Sequence, residues 1–328
     1  ENLNYIMKGY SKPFKISRAQ LNFSPEYLDL VDLDFKYAST DLKASGKIEN
    51  YLSYALGGGT LEGSLKTQSQ AVNVNDFMEG SDGVAIEPNQ EEEVVELNVI
   101  KVPAKIDFKL NSSFNELTYD NIHMKDVSGT VVIRDEKVSL QGLEGNLFNG
   151  TISMNGYYDT KEKEKPLVEL ELDIKDLNIQ QAAGTFAIME KYAPIAKHTA
   201  GEFSSIFSFK TSLTEGMMPD WATLGGSGLV NTSRISVENV NTLNKLSNAL
   251  KTDKFRKLDL NAIKLFFEIV DGKVNVKPFD LKMKDAKATL SGWTAMDQTI
   301  DYVMEMEIPR KTMGTQANDV LEGLVSKA

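Results

Sequence analysis

The amino-acid sequence predicts a mainly β protein: an elongated, repetitive antiparallel sheet forming a curved groove, with two or three short amphipathic helices. Three observations predict it. Apolar and polar residues alternate with period 2 over many short stretches, turn dipeptides separate those stretches at hairpin intervals, and three parts of the chain repeat one another in phase.

Alternation is clearest in Val168-Glu169-Leu170-Glu171-Leu172-Asp173-Ile174, one face apolar and the other acidic. Val131–Arg134, Leu140–Leu143, Thr151–Met154, Ala288–Leu290 and Tyr302–Ile308 read the same way. Asp271-Gly272, Asn149-Gly150 and Asn155-Gly156 carry the turn chemistry that joins such strands.

The repeat appears when Leu28, Val138 and Val274 are aligned, each following a turn (SPEY, RDEK, VDGK). Leu30, Leu140 and Val276 then coincide, followed by Leu33, Leu143 and Phe279. Further on come Leu42, Ile152 and Ala288, then Ala44, Met154 and Leu290, and finally Gly46, Gly156 and Gly292. In the last two copies the register continues, pairing Val168 with Met304, Leu170 with Met306 and Leu172 with Ile308. Each unit reads as strand, turn, strand ending at glycine, connection and further strand. Its single apolar face needs a stacked neighbour, or something lying in the groove, to cover it.

Two helices interrupt the strands. Asn178 as N-cap with Gln181 three residues on begins a capping-box pattern. Ile179, Ala182, Ala183, Phe186, Met189 and Ala193 then share a helical face that Pro194 stops. Leu243, Leu246 and Leu250 form a stripe over Val240–Lys251, and Gln316–Leu324 is a weaker third candidate. A stripe of this kind beside a one-faced sheet reads first as a core contact, and second as a plug or gate.

Charge is concentrated in one place. The chain of 328 residues has 36 Lys+Arg, 47 Asp+Glu and a net charge of −11. Eight of the acids lie between Asp76 and Glu96 with no basic residue among them, so the remainder is nearly neutral, 36 against 39. That segment self-repels and is expected to form a flexible linker; a calcium site is the lesser reading, because EF-hand spacing is missing. The organisation expected is a first β unit at 1–75, the acidic loop at 76–97, a second β unit ending in a helix at 98–198, and a carboxyl-terminal module at 199–328.

Catalytic motifs are scarce. With no cysteine there is no thiolate chemistry, and the two histidines, His123 and His198, have no HExxH or triad partner. No phosphate-cradling glycine loop occurs; Gly57-Gly58-Gly59 lacks a lysine and reads as a hairpin turn. The acid pairs Glu169/Glu171 and Glu305/Glu307 lie on polar strand faces, where no dry pocket would raise a carboxyl pKa. An acidic chain with scattered aromatics is also a poor nucleic-acid partner. The sequence therefore gives no catalytic, metal or cofactor residues, and a binding or scaffolding protein is expected. No 18-residue apolar stretch occurs.

The stretch LGGSGLVNTSRISVENVNTLNKLSNAL, followed by LDLNAIKLFFEIVDGKVNVKPFDLKMKDAKATLSGWTAMDQTIDYVMEMEIP, resembles the closing module of the AsmA-like family of bacterial envelope proteins, to which TamB belongs. ISRAQLNFSPEYLDLVDLDFKYASTDLKASGKIENYL resembles that family's earlier repeats, so the likeness runs from about Ile16 to Pro309. The resemblance implies a β groove lying in the periplasm and tethered to the inner membrane, a part in outer-membrane biogenesis, and movement of phospholipid between membranes. Because the chain opens with Glu1, the anchor is expected on a segment absent here.

On this reading the groove is lined by Leu28, Leu30 and Leu42 in the first copy. Val138, Leu140, Ile152, Met154, Val168, Leu170 and Leu172 line it in the second, and Val274, Val276, Leu290, Met304, Met306 and Ile308 in the third. Phospholipid or another lipid is the expected partner, with envelope proteins as the alternative for a β-rich scaffold. The same face filled by helices and opposing strands would instead be a closed core.

Overall fold

The computed structural model describes residues 3–6, 12–78, 99–214, 216–249, 253–282 and 287–307. Among the described residues sixteen strands form one sheet in which spatial order follows chain order. The first half runs β1 (Leu3–Tyr5), β2 (Phe14–Phe23), β3 (Tyr27–Tyr37), β4 (Thr40–Glu49), β5 (Leu61–Asn73), β6 (Ile106–Tyr119), β7 (Ile122–Arg134) and β8 (Lys137–Leu147). The second runs β9 (Gly150–Asp159), β10 (Leu167–Asn178), β11 (Thr199–Ser212), β12 (Gly225–Glu238), β13 (Lys257–Val270), β14 (Lys273–Lys282), β15 (Lys287–Ala295) and β16 (Ile300–Glu307). Contacts divide the chain into two compact units. One holds Glu1–Leu147, Thr151–Leu172 and Phe209–Leu224; the other holds Phe148–Gly150, Asp173–Ser208 and Gly225–Ala328.

The sheet is mostly antiparallel, as its alternation predicts, with a parallel pair at β5 and β6. Parallel neighbours need a crossover of a dozen or more residues, because the chain must return to the starting end before it can pair again. The stretch between Asn73 and Ile106, which contains the acidic run, supplies it. The linker expected there thus has a definite topological task, while residues 79–98 lie outside the described residues.

In the first unit the pleat sends one set of side chains to a common face. Leu21, Leu30, Gly46, Leu65, Leu110, Val131 and Leu140 lie opposite one another across seven strands. A second row runs Phe23, Leu28, Ile48, Gly63, Phe108, Ile133 and Val138. The intervening residues, among them Asp29, Lys47, Lys66 and Lys109, point the other way by the period-2 rule.

The repeat is present in three dimensions. Leu30 pairs with Gly46 and Val276 with Gly292, and in both places the ladder then slips, resuming at Leu33↔Ala44 and Phe279↔Leu290. Gly46, Gly156 and Gly292 have φ of +142°, +145° and +152°. A Cβ at Gly46 would strike the Ser64 carbonyl and lie 3.0 Å from Leu65 Cα; at Gly156 it would strike the Glu169 carbonyl, 2.8 Å from Leu170 Cα. Only glycine permits that backbone together with so close a neighbour. These glycines sit inside β4, β9 and β15, which corrects the expectation that each strand ends there: glycine bends the strand and pairing continues past it. Asn155-Gly156 is accordingly no turn. The Asn149-Gly150 turn is displaced by one residue, since Phe148 and Asn149 have positive φ and Gly150 opens β9.

One repeated contact was not predicted. Lys47 lies 4.1 Å from the Tyr27 ring centroid, Lys137 4.0 Å from Tyr157 and Lys273 3.9 Å from Trp293. Each pair spans the same offset in its copy, on the solvent side, with cation and ring exchanged in the first. The exchange hides the pattern from residue-by-residue alignment, yet the cation–π attraction is the same either way round.

Among the described residues five short helices accompany the sheet, two more than the upper expectation. α1 (Tyr51–Ala55) and α2 (Asn75–Met78) belong to the first unit. Since α1 precedes Gly57-Gly58-Gly59, that glycine run ends a helical connection and is not a plain hairpin turn. In the second unit Asn178 caps α3 (Ile179–Thr185), its Oδ1 accepting from the Gln181 N–H at 2.9 Å. The single helix expected up to Pro194 is broken at Phe186, whose extended backbone separates α3 from α4 (Ala187–Tyr192). α5 (Asn241–Ala249) answers the second expected helix; Leu250 and Lys251 and the third candidate, Gln316–Leu324, lie outside the described residues. Ile179, Ala183 and Leu243 pack with Ile235, Val237, Leu258, Leu260, Ile263, Leu281 and Ala288 into a core between helices and strands. That is the core contact the stripes predict.

Candidate functional site

The two units treat their apolar faces differently. In the second, the helices lie on one end of β12–β15, and the predicted groove residues Leu290 and Met306 pack against that core. Met304, opposite Leu290 on β16, is 41% exposed, while Val274 and Val276 are half-buried; Ile308 lies outside the described residues. In the first unit, the only helices among the described residues are the short α1 and α2, placed at strand ends. The apolar rows there have no helical layer from their own unit.

Predicted residues fall on this face of the first unit together. Leu30 and Ile152 are buried, whereas Leu28, Leu42, Val138, Leu140, Met154, Val168, Leu170 and Leu172 are half-buried. Leu170 overlies Gly156, its Cδ2 2.8 Å from where a Cβ would stand. Sequence reasoning missed Leu65, Leu110, Phe108 and Ile133, which continue the same rows. β5 and β6 lie outside the aligned repeat, although Leu61, Gly63 and Leu65 and Ile106, Phe108 and Leu110 carry the period-2 signal that would have found them.

Polar groups on the face are satisfied. Thr67 and Ser112, both buried, share a hydrogen bond of 2.8 Å. Tyr158 donates to the Ile100 carbonyl at 2.9 Å, and burial, with the nearby Tyr119 phenol, pushes its pKa up to about 12. The Val102 N–H donates to Thr160 Oγ1 at 3.1 Å. At the other end of the crossover, Asp76 accepts from the Ser39 N–H and hydroxyl at 2.9 and 2.6 Å, while Phe77 lies against Tyr37. Thr67, Ser112, Tyr158 and Thr160 are thus hydrogen-bonded neutral groups that hold the chain without adding charge to the face.

On the opposite side Tyr157 donates to Glu169 at 2.7 Å, and Lys210 lies 3.4 Å from the same carboxylate. The Tyr157 hydrogen bond, followed by Lys210, holds Glu169 below the usual carboxylate range. A lowered pKa suits a solvated ion pair and is the reverse of what a general acid requires. Glu305 and Glu307 are exposed. His123 shares a 3.0 Å hydrogen bond with Thr118 at the surface, and His198 is exposed. Among the described residues no cluster of three or more His, Asp or Glu is arranged to hold a metal.

The described residues of the first unit thus carry apolar rows whose side chains are mostly half-buried. No protein-family model, curated protein or solved structure matches the chain.

Proposed function

We propose that this protein is a non-enzymatic envelope-biogenesis module whose apolar β surface handles or conducts phospholipid between membranes, as its resemblance to the AsmA-like family suggests. The observation carrying this reading is the set of apolar rows that cross β2–β8 without a helical layer from their own unit. Acyl chains gain about 0.8 kcal/mol per CH₂ removed from water. A bilayer supplies nearly the same, so an apolar surface exchanges lipid with little net driving force and suits conduction better than storage.

Native mass spectrometry of gently purified protein tests this. Phospholipid adducts that disappear on Leu140→Asp are the expected result; a parent protein free of lipid overturns it. A second reading, a periplasmic scaffold acting through protein contacts, is favoured by the edge strand β16. Among the described residues it has a neighbour only at β15, and Ile300 and Val303 are exposed. Such an edge suits strand addition by a partner. Lipid-free protein that captures an extended peptide along β16 would establish that reading in its place.

A further inference from the structure

We propose that the tip formed by α1, the following Gly57–Gly59 turn and the adjacent Phe23 is the point at which this protein docks on a lipid surface. The inference rests on the lipid-handling reading and extends it by naming where a membrane meets the apolar rows.

The tip is apolar and outward. Leu56 is 88% exposed, Phe23 68%, Leu52 48% and Tyr54 41%. From Asn50 to Thr60 the chain has no charged residue. Four backbone hydrogen bonds close within it: Tyr54 N–H donates to Asn50 O, Leu56 to Leu52, Gly57 to Tyr54 and Gly58 to Ser53. The Ser53 hydroxyl closes the turn on Gly58 O at 3.0 Å, and the Tyr51 phenol donates to Ser24 O at 2.8 Å. Hydrogen bonds closed within the turn reduce the cost of placing its backbone in an apolar medium. Leu with Tyr at one small site is also the composition of an interfacial anchor.

Position agrees. Phe23 meets Tyr51 edge-on at 6.4 Å and pairs across the ladder with Leu28, so the tip is continuous with a row that runs on to Val138. Lys105 Nζ donates to the Gly57 carbonyl at 3.3 Å, so a cation able to meet a lipid phosphate stands at the tip.

The size of the patch argues against a second copy of the chain. With side chains of roughly 150–250 Å² each, the four residues expose on the order of 500 Å², short of the ~800 Å² per partner of a stable interface. A few side chains are enough for reversible attachment to a bilayer.

The full chain should co-sediment with vesicles of equal phosphatidylethanolamine and phosphatidylglycerol. Leu52→Asp with Leu56→Asp should weaken that binding at least tenfold, while the urea midpoint stays unchanged because both side chains project outward. Leu56→Trp should gain quenching by brominated acyl chains beyond that of the parent. Equal binding by the Asp variant overturns the proposal, as does a parent that ignores vesicles. So does self-association abolished by the Asp variant without vesicle binding. If the parent retains phospholipid in native mass spectrometry yet ignores vesicles, the docking tip fails alone. Vesicle binding by a lipid-free parent removes the conducting surface and leaves the tip.

Discussion

Placing one carboxylate on each apolar face measures whether the two differ as their coverings imply. Leu260 is 5% exposed within the helical core of the second unit. Leu260→Asp forfeits about 2–3 kcal/mol of side-chain burial and adds several kcal/mol for an acid with no partner, so a loss above about 4 kcal/mol is expected. Leu170 is half-buried on a face of the first unit that, among the described residues, has no helical layer from its own unit. Leu170→Asp gives up part of the burial but keeps its carboxylate within reach of water, for a loss of about 1–2 kcal/mol. Each unit holds one of the two tryptophans, Trp221 in the first and Trp293 in the second, so Trp→Phe at either leaves a fluorophore reporting on the other in urea titrations. Crosslinking of photoactivatable phospholipid should fall in Leu170→Asp and stay at parental level in any folded variant of the helical core. Comparable losses above 4 kcal/mol at both sites would refute the reasoning, since the first face would then be a sealed interior.

Gly46→Ala should cost about 2–4 kcal/mol, combining positive φ with a Cβ driven into the Ser64 carbonyl; Gly142→Ala, with φ of +56° and open space, should cost about 1–2, both by urea denaturation. Burial alone would raise the pKa of Asp41, but the Ala71 and Gln70 N–H groups and the Ser69 hydroxyl hold it below its ordinary 3.8. It therefore stabilises the fold above about pH 4 and ceases to as pH falls through its lowered value; Asp41→Asn should flatten that acid limb of the stability curve. Replacing Glu79–Glu93 by a ten-residue Gly/Ser linker should move stability by a few tenths of a kcal/mol, because closure entropy grows slowly with length. A linker of two residues leaves seven residues between Met78 and Val99, a reach of ~29 Å against the ~44 Å of β6, so it should pull Ile100 and Val102 away from Tyr158 and Thr160 and lower the urea midpoint.

The architecture was legible because antiparallel hairpins write themselves locally. Asp271-Gly272 has φ of 52° and 68°, the left-handed pair that closes a two-residue hairpin, and the strands on either side alternate as the pleat requires. The slip after Leu30 and after Val276 preserves the repeat offset, so the apolar phase survives the irregularity and could be followed along the chain. The parallel β5/β6 pair was not legible, since nothing in an alternating strand states the direction of its neighbour. The cation–π pairs escaped notice because Tyr27 and Lys47 exchange roles relative to Lys137 and Tyr157.

Whether an apolar face is covered is a separate question from where it lies. Alternation decides the second, since it needs only residues two apart. The first depends on where helices fall in the chain and on which strands they dock. α3, α4 and α5 follow β10 and β12, and their Ile179, Ala183, Met189 and Leu243 pack with Ile235, Leu258, Leu260 and Leu281. The connections among β2–β8 are tight turns, the five-residue α1 and the crossover that begins with the four-residue α2. A helix of one turn cannot cover a row seven strands wide. The rows of the first unit therefore stay half-exposed for a reason visible in the spacing of its strands, and apolar surface left by short connections is why lipid is proposed for that unit and not for the other.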